Sequence, residues 1–150
     1  MKQVDELIYD AICADQTIMQ AIGGRIVSTC FEVSPDEKDN TPLPNIIVMD
    51  DGFQNLQSTK EDMWEADEDR VQCGVEVDAQ SPQEVKRLIR LVRRAVQKAI
   101  TAMVEDGEDI PVLDSLQSYG IAWDWLKPCY YQIITYQCTT ETDIDNEQEE

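Results

Sequence analysis

Histidine is absent from this sequence of 150 residues, and cationic side chains are scarce. Without histidine the chain cannot form a Ser-His-Asp triad, a Cys-His pair or a zinc site that contains histidine. The chain has 12 Lys and Arg and 31 Asp and Glu, which gives a formal net charge of -19. Because nucleic-acid backbones and anionic lipids are negatively charged, this excess of acid opposes general binding to either.

Neither a disulfide framework nor a membrane span is indicated. The five cysteines are odd in number and include no C-x-x-C pair; they are Cys13, Cys30, Cys73, Cys129 and Cys138. Residues 1–10 lack a basic region followed by an apolar one, so we expect free thiols in a reducing cytosol. No stretch approaches the roughly 18 consecutive apolar residues that a membrane-spanning helix needs.

Apolar residues make up 42% of the chain, which is enough for one hydrophobic core at this length. We expect a single domain over residues 1–138, followed by an acidic disordered tail over residues 139–150. That tail holds six acidic residues and one large apolar side chain, Ile144. Such a composition cannot offset the entropy lost on ordering.

The first half of the sequence predicts two helices and two strands. An amphipathic helix over residues 4–13 is indicated by apolar residues at helical spacing, namely Val4, Leu7, Ile8, Ala11 and Ile12. Asp15 is typical of the cap of a short second helix, which would end before Gly23 and Gly24. Strands are predicted at 25–33 and 45–49, and polar or acidic loops at 34–44 and 50–69.

The second half predicts a strand, a long helix and two more strands. Residues 70–79 alternate between apolar and polar, and Ser81, Pro82 and Glu84 then form the start signal of a helix to about Val104. An acidic connection would follow, with strands at 119–126 and 129–138. The order predicts an α+β fold, with a mostly antiparallel sheet of about five strands packed by two principal helices.

Acidic clusters raise the possibility of a metal or acid-base site. None has the oxygen spacing of a calcium-binding loop, and solvated acidic loops explain them better. Glu76 and Asp78 lie two apart on the polar face of one strand, as magnesium ligands do in some nucleases. Outward-facing acids on a half-exposed strand need no such explanation, so we predict no catalytic, cofactor-binding or metal-binding residues.

Half of the cationic residues fall on one side of the long helix. We call this set the cationic face; it consists of Lys86, Arg87, Arg90, Arg93, Arg94 and Lys98. Two interpretations are open. The face could be solvated or neutralised by acids of its own chain. It could instead be a subunit interface that meets an acidic surface of a neighbouring copy, because Arg pairs well with carboxylates.

In order and spacing, these elements resemble the tail-completion family of long-tailed bacteriophages, which includes head-tail joining and tail-terminator proteins. The resemblance covers most of residues 7–138. It is carried by LIYDAICADQTIMQAIGGRIV, PLPNIIVMDD, RVQCGVEVDA with SPQEVKRLIRLVRRAV, and CYYQIITYQC. The sequence departs from the family pattern in its acidic segment at 50–69, its connection at 105–118 and its acidic tail.

The resemblance implies a structural protein of a phage or prophage rather than an enzyme. Proteins of this family assemble in the bacterial cytoplasm and form a homo-oligomeric ring, commonly a hexamer, at the head-tail joint of the virion. The ring ends the tail tube and contacts the tail tube protein and the head connector protein. The resemblance implies no cofactor, membrane partner or sequence-specific nucleic acid.

Two other functions compete with this one. The charge of -19 suits an acidic DNA mimic that blocks a nucleic-acid-binding host enzyme, although many of the acids fall in loops and the tail. A metal-dependent nuclease using Glu76 and Asp78 is the third candidate.

Overall fold

The computed structural model describes residues 3–28, 42–55 and 68–141. The elements along the chain are α1 (Val4–Ala14), α2 (Gln16–Ala21), β1 (Ile26–Ser28), β2 (Asn45–Asn55), β3 (Glu68–Ala79), α3 (Pro82–Glu105), β4 (Val112–Ser118), β5 (Ala122–Asp124) and β6 (Cys129–Glu141). The predicted α+β fold is confirmed. Within the described ranges, no helix is long and apolar enough to cross a membrane.

The strands form one sheet in the order β1-β2-β3-β6-β4, and β5 also pairs with β6. Only the β1–β2 pair is parallel. β4 pairs with residues 134–139 of β6, whereas β5 pairs with residues 129–131. The two strands therefore lie one after the other along the same side of β6 and together form one edge of the sheet, which we call the β4–β5 edge.

Both principal helices bury the faces that the sequence predicts. All five residues of the predicted stripe on α1, from Val4 to Ile12, are buried. On α3, Leu88, Val92 and Val96 are buried against the sheet in the same core as Val75 of β3. Helical periodicity sets these contacts, because side chains three and four positions apart share one face.

Local signals fix where the helices begin. The Ser81 side chain accepts a hydrogen bond of 3.2 Å from the backbone N–H of Glu84, as the predicted cap requires. The Asp15 carboxylate accepts one of 3.0 Å from Ile18 N–H at the start of α2.

The glycine pair after α2 serves the chain reversal. Gly23 and Gly24 have φ angles of 59° and 74°, which glycine adopts without strain. The Arg25 guanidinium donates to the carbonyl oxygens of Pro44 and Leu43 at 2.9 and 3.2 Å. This turn therefore ties β1 to the start of β2.

The predicted loop over 50–69 is wrong at both of its ends. β2 continues to Asn55, and β3 begins at Glu68. A bulge between Asp50 and Phe53 contains Gly52 and breaks the alternation that identifies a strand in sequence. Residues 56–67 lie outside the described residues, as do Cys30 and most of the predicted 34–44 loop.

The predicted strand over 119–126 is confirmed only at Ala122–Asp124, because the edge is built differently. β4 occupies part of the predicted 105–118 connection, and β5 keeps only three residues. Leu113 pairs with Cys138 and Leu116 pairs with Tyr136, with a register shift between Leu113 and Ser115. The bulge places two leucines spaced by three on a strand, a spacing that sequence patterns do not assign to strands.

The last strand is longer than predicted. β6 runs to Glu141, and its last three residues pair with residues 68–70 of β3. Residues 142–150, which we call the C-terminal segment, lie outside the described residues, so the predicted disorder of the tail stays a prediction there.

Candidate interaction surface

The six residues of the cationic face are all exposed on α3. Among the residues that the structure describes, none of the six lies within 4 Å of a carboxylate as an ion pair. Within this part of the molecule, no acid of the same chain neutralises the cationic face through an ion pair. Since uncompensated cations on a chain of net charge -19 attract acids, the cationic face is available to another surface.

Three of these cations border a groove between α3 and the β4–β5 edge. The groove has a volume of about 430 Å³ and is bordered by Arg90, Arg93 and Arg94. Its apolar floor is formed by Ile100 of α3, Leu113 and Leu116 of β4 and Tyr136 of β6. We call this the arginine groove. Its combination of guanidinium groups and apolar surface suits a ligand that carries both carboxylates and an apolar side chain.

The remaining cations of the face do not line the arginine groove. Arg87 lies three positions before Arg90 and Lys98 four positions after Arg94, so both are on the same side of α3 as the groove arginines, next to the groove lining. Lys86 instead lines a second recess near the start of the helix. The six cations look alike in the sequence, but in the structure only three of them line the arginine groove.

Burial controls the ionisation of the side chains around the groove floor. Burial raises the pKa of the Tyr136 hydroxyl to about 12, although the nearby Arg93 acts in the opposite direction. Burial also raises the pKa of the Cys138 thiol to about 12, with a further contribution from the charge of Asp114. Both groups are therefore neutral at physiological pH, and the arginines supply the charge of the groove.

Aromatic residues cluster at the other end of the same edge. Trp123 packs edge-on against Tyr130, with ring centroids 4.8 Å apart, and against Trp125 at 6.0 Å. Together with Lys86, Trp123 and Tyr130 line the second recess, whose volume is about 540 Å³. Trp123 and Tyr130 are in register between β5 and β6, so this contact is a cross-strand pair.

The turn between β5 and β6 holds two large apolar side chains in solvent. Trp125 is 85% exposed and Leu126 is 98% exposed. The Asp124 carboxylate accepts hydrogen bonds from the backbone N–H groups of Leu126 and Lys127, at 2.9 and 3.3 Å. We call this turn the aromatic tip. Because its backbone is already held, binding through it costs less conformational entropy than binding through a loose loop.

An ion pair ties the aromatic tip to the sheet. Lys127 Nζ lies 3.6 Å from Asp78 Oδ2, and both side chains are largely buried. The expectation that Asp78 faces outward is wrong, since this residue is only 3% exposed. A buried carboxylate requires a cationic partner, so Asp78 has a structural role that the nuclease hypothesis did not consider.

Residues 3–28, 42–55 and 68–141 contain no group of three or more Cys, Asp or Glu side chains arranged to hold a metal ion. The four cysteines within these ranges are free thiols, as predicted. Burial raises the pKa of the Cys129 thiol to about 11, with a contribution from the charge of Asp78. A thiol with such a pKa is a poor nucleophile at neutral pH.

Sequence reasoning identified the arginines but missed the floor of the groove and the aromatic tip. The sequence did contain a signal for the aromatic tip, because Trp-Leu within a short turn between two strands places large apolar residues where polar ones are usual. The sequence contains no such signal for the groove floor, because Leu113, Leu116 and Tyr136 come together only through strand pairing.

The chain is similar to several solved structures, including the following two. The gp17 protein of bacteriophage SPP1 shares 15% identity with a TM-score of 0.49, over 90% of this chain and 86% of that chain. A chain from the virion of a native gene transfer agent particle shares 13% identity with a TM-score of 0.44, over 93% of this chain and 95% of that chain. No protein-family model and no curated protein sequence matches the chain.

Proposed function

We propose that this chain is a structural assembly protein of a phage or prophage. In this proposal, copies of the chain form a ring at the head-tail joint, which ends the tail tube and connects it to the head. The tail tube protein and the head connector protein are the direct partners, and six copies close the ring. The order of the sequence elements, which resembles that of tail-completion proteins, supports this proposal.

One observation carries the self-association part of the proposal. The arginine groove lies along the same edge of the sheet as the aromatic tip, so charge and exposed apolar surface occur together. Exposed apolar patches of this kind mark protein interfaces, and interface anchors are often Trp and Arg. We propose that the subunit contact is centred on Arg90 and Arg94.

Closed rings need contacts between two different surfaces of the same chain. Acids suited to meet the groove are exposed elsewhere, at Asp50 and Asp51 on β2 and at Glu105 and Glu108 near the end of α3. The chain therefore carries both signs of charge needed for head-to-tail association, while its excess of acid discourages DNA from binding to the ring.

Two measurements test the proposal. Native mass spectrometry and negative-stain electron microscopy of the purified chain should show one closed ring with a fixed number of copies. In the phage or prophage that encodes it, deletion of the gene should leave filled heads separate from tails of irregular length. A chain that remains monomeric under all conditions, together with intact virions from the deletion strain, would overturn the proposal.

A further inference from the structure

The arginine groove is open along its length and contains no described acidic side chain among its lining residues. An occupant with several carboxylates and one apolar side chain would complement the arginines and the apolar floor of this groove. The C-terminal segment, residues 142–150, has this composition, because it contains five acidic residues and Ile144 as its only large apolar side chain.

We infer that the arginine groove receives the C-terminal segment of a neighbouring copy, with Ile144 on the apolar floor and Asp143 and Asp145 against the arginines. This inference rests on the proposed ring and names the group that fills one of its subunit contacts.

Charge complementarity is the first argument. Arg90, Arg93 and Arg94 are exposed and without a carboxylate partner among the described residues. Guanidinium groups pair with carboxylates through charge-assisted hydrogen bonds, which are stronger than neutral ones. Asp143 and Asp145 flank Ile144 directly, so one short extended stretch presents acid, apolar and acid in sequence.

The apolar floor is the second argument. Leu113, Leu116 and Ile100 are only partly buried, and they border a space large enough for a branched aliphatic side chain. Covering them with Ile144 would remove apolar surface from water on both partners, which favours association in proportion to the area buried. A purely acidic ligand would leave this floor exposed.

The reach of the chain favours a segment from a second copy. β6 ends at Glu141, three residues beyond the level of Leu113 and five beyond the level of Leu116. Five residues of a strand span about 17 Å, whereas Ile144 lies three residues beyond Glu141 and therefore at most about 10 Å from it. Ile144 of the same chain thus reaches no farther than the Leu113 end of the groove, whereas the segment of a neighbouring copy can lie along its whole length.

Pairing within the sheet closes one route for the segment of the same chain. β6 is paired with β3 as far as Glu141 and with β4 as far as Thr139, so no further strand can be added beside the part of β6 that borders the groove.

Photo-cross-linking of the full chain tests this inference. Ile144 is replaced by the photoreactive residue p-benzoylphenylalanine, and this variant is mixed with an isotopically heavy chain of the natural sequence. After irradiation, mass spectrometry should find cross-links between light and heavy chains at positions 93–101 and 113–116. Substitution R90Q/R94Q in the heavy chain should lower their yield roughly tenfold or more, since two charge-assisted contacts are lost.

The matched control is R87Q/K98Q in the heavy chain, which introduces no acid beside Arg90 or Arg94. It makes the same change in net charge on the same helix, but at residues that do not line the groove, and it should keep the yield within about twofold of the natural chain. Cross-links that fall elsewhere, or that form only within one chain, would overturn the inference. Sedimentation velocity on the same samples separates the two proposals: rings without groove cross-links contradict this inference alone, and absence of rings contradicts the proposed ring.

Discussion

The helix-covered face of the sheet and the β4–β5 edge contain similar apolar residues but bury them to different extents. Val92 of α3 is 0% exposed, as are Ile8 of α1 and Val75 of β3. At the edge, Trp125 and Leu126 are almost fully exposed on a turn whose backbone is held by Asp124. The covered face stabilises the fold, whereas the edge keeps apolar surface for a partner.

The two regions also differ in how they use charge. On the helix-covered face, the core formed by the described residues contains no charged side chain. Along the edge, three arginines border an apolar groove without an acidic partner among the residues that the structure describes. Changes to the covered face should therefore alter folding, and changes to the edge should alter assembly.

The largest effect is expected at Val92. V92D places an unpaired carboxylate in the core, which costs several kcal/mol against a total stability of about 5 to 15 kcal/mol, and the domain should unfold. The matched control is V104D on the same helix, where the side chain is 61% exposed and the change should be tolerated. Circular dichroism during urea unfolding measures both; a cooperatively folded V92D variant is incompatible with this core.

The next effect concerns the buried ion pair. K127A leaves Asp78 buried without its cation and should lower the free energy of unfolding by about 3 kcal/mol. The double variant D78N/K127M removes both charges and should lose less. Equal losses in the two variants would show that the pair acts through packing and not through charge.

Substitutions at the aromatic tip should separate assembly from stability. W125S/L126S removes two exposed side chains, so the free energy of unfolding should change by less than about 0.5 kcal/mol. Ring formation measured by sedimentation velocity should weaken at least tenfold. If this variant still forms a normal ring, the aromatic tip is not part of the subunit interface, which is then limited to the arginine groove.

The smallest effect is expected in the isolated chain after deletion of Asp143–Glu150. Five carboxylates and one large apolar side chain cannot offset their ordering entropy in a monomer, so the Tm at low protein concentration should stay essentially unchanged. At high concentration the deletion should reduce assembly. A loss of more than about 1 kcal/mol in the monomer would show that the segment contacts its own domain.

Sequence patterns predicted the covered face better than the edge for a physical reason. The faces of α1 and α3 follow from helical periodicity, and their starts follow from Asp15 and Ser81, so neighbouring residues contain the information. β4 was missed because a bulge changes the spacing of Leu113 and Leu116. The arginine groove depends on residues from α3, β4 and β6, which only the pairing of the sheet brings together.

The most direct test of the proposed subunit contact is sedimentation velocity of R90Q/R94Q beside R87Q/K98Q, at the same protein concentration and ionic strength. Both variants change the net charge equally, so global repulsion is matched and salt need not be varied. We predict monomers for R90Q/R94Q and rings for R87Q/K98Q, with unchanged circular dichroism in both. Rings of equal stability from both variants would contradict a subunit contact at the arginine groove.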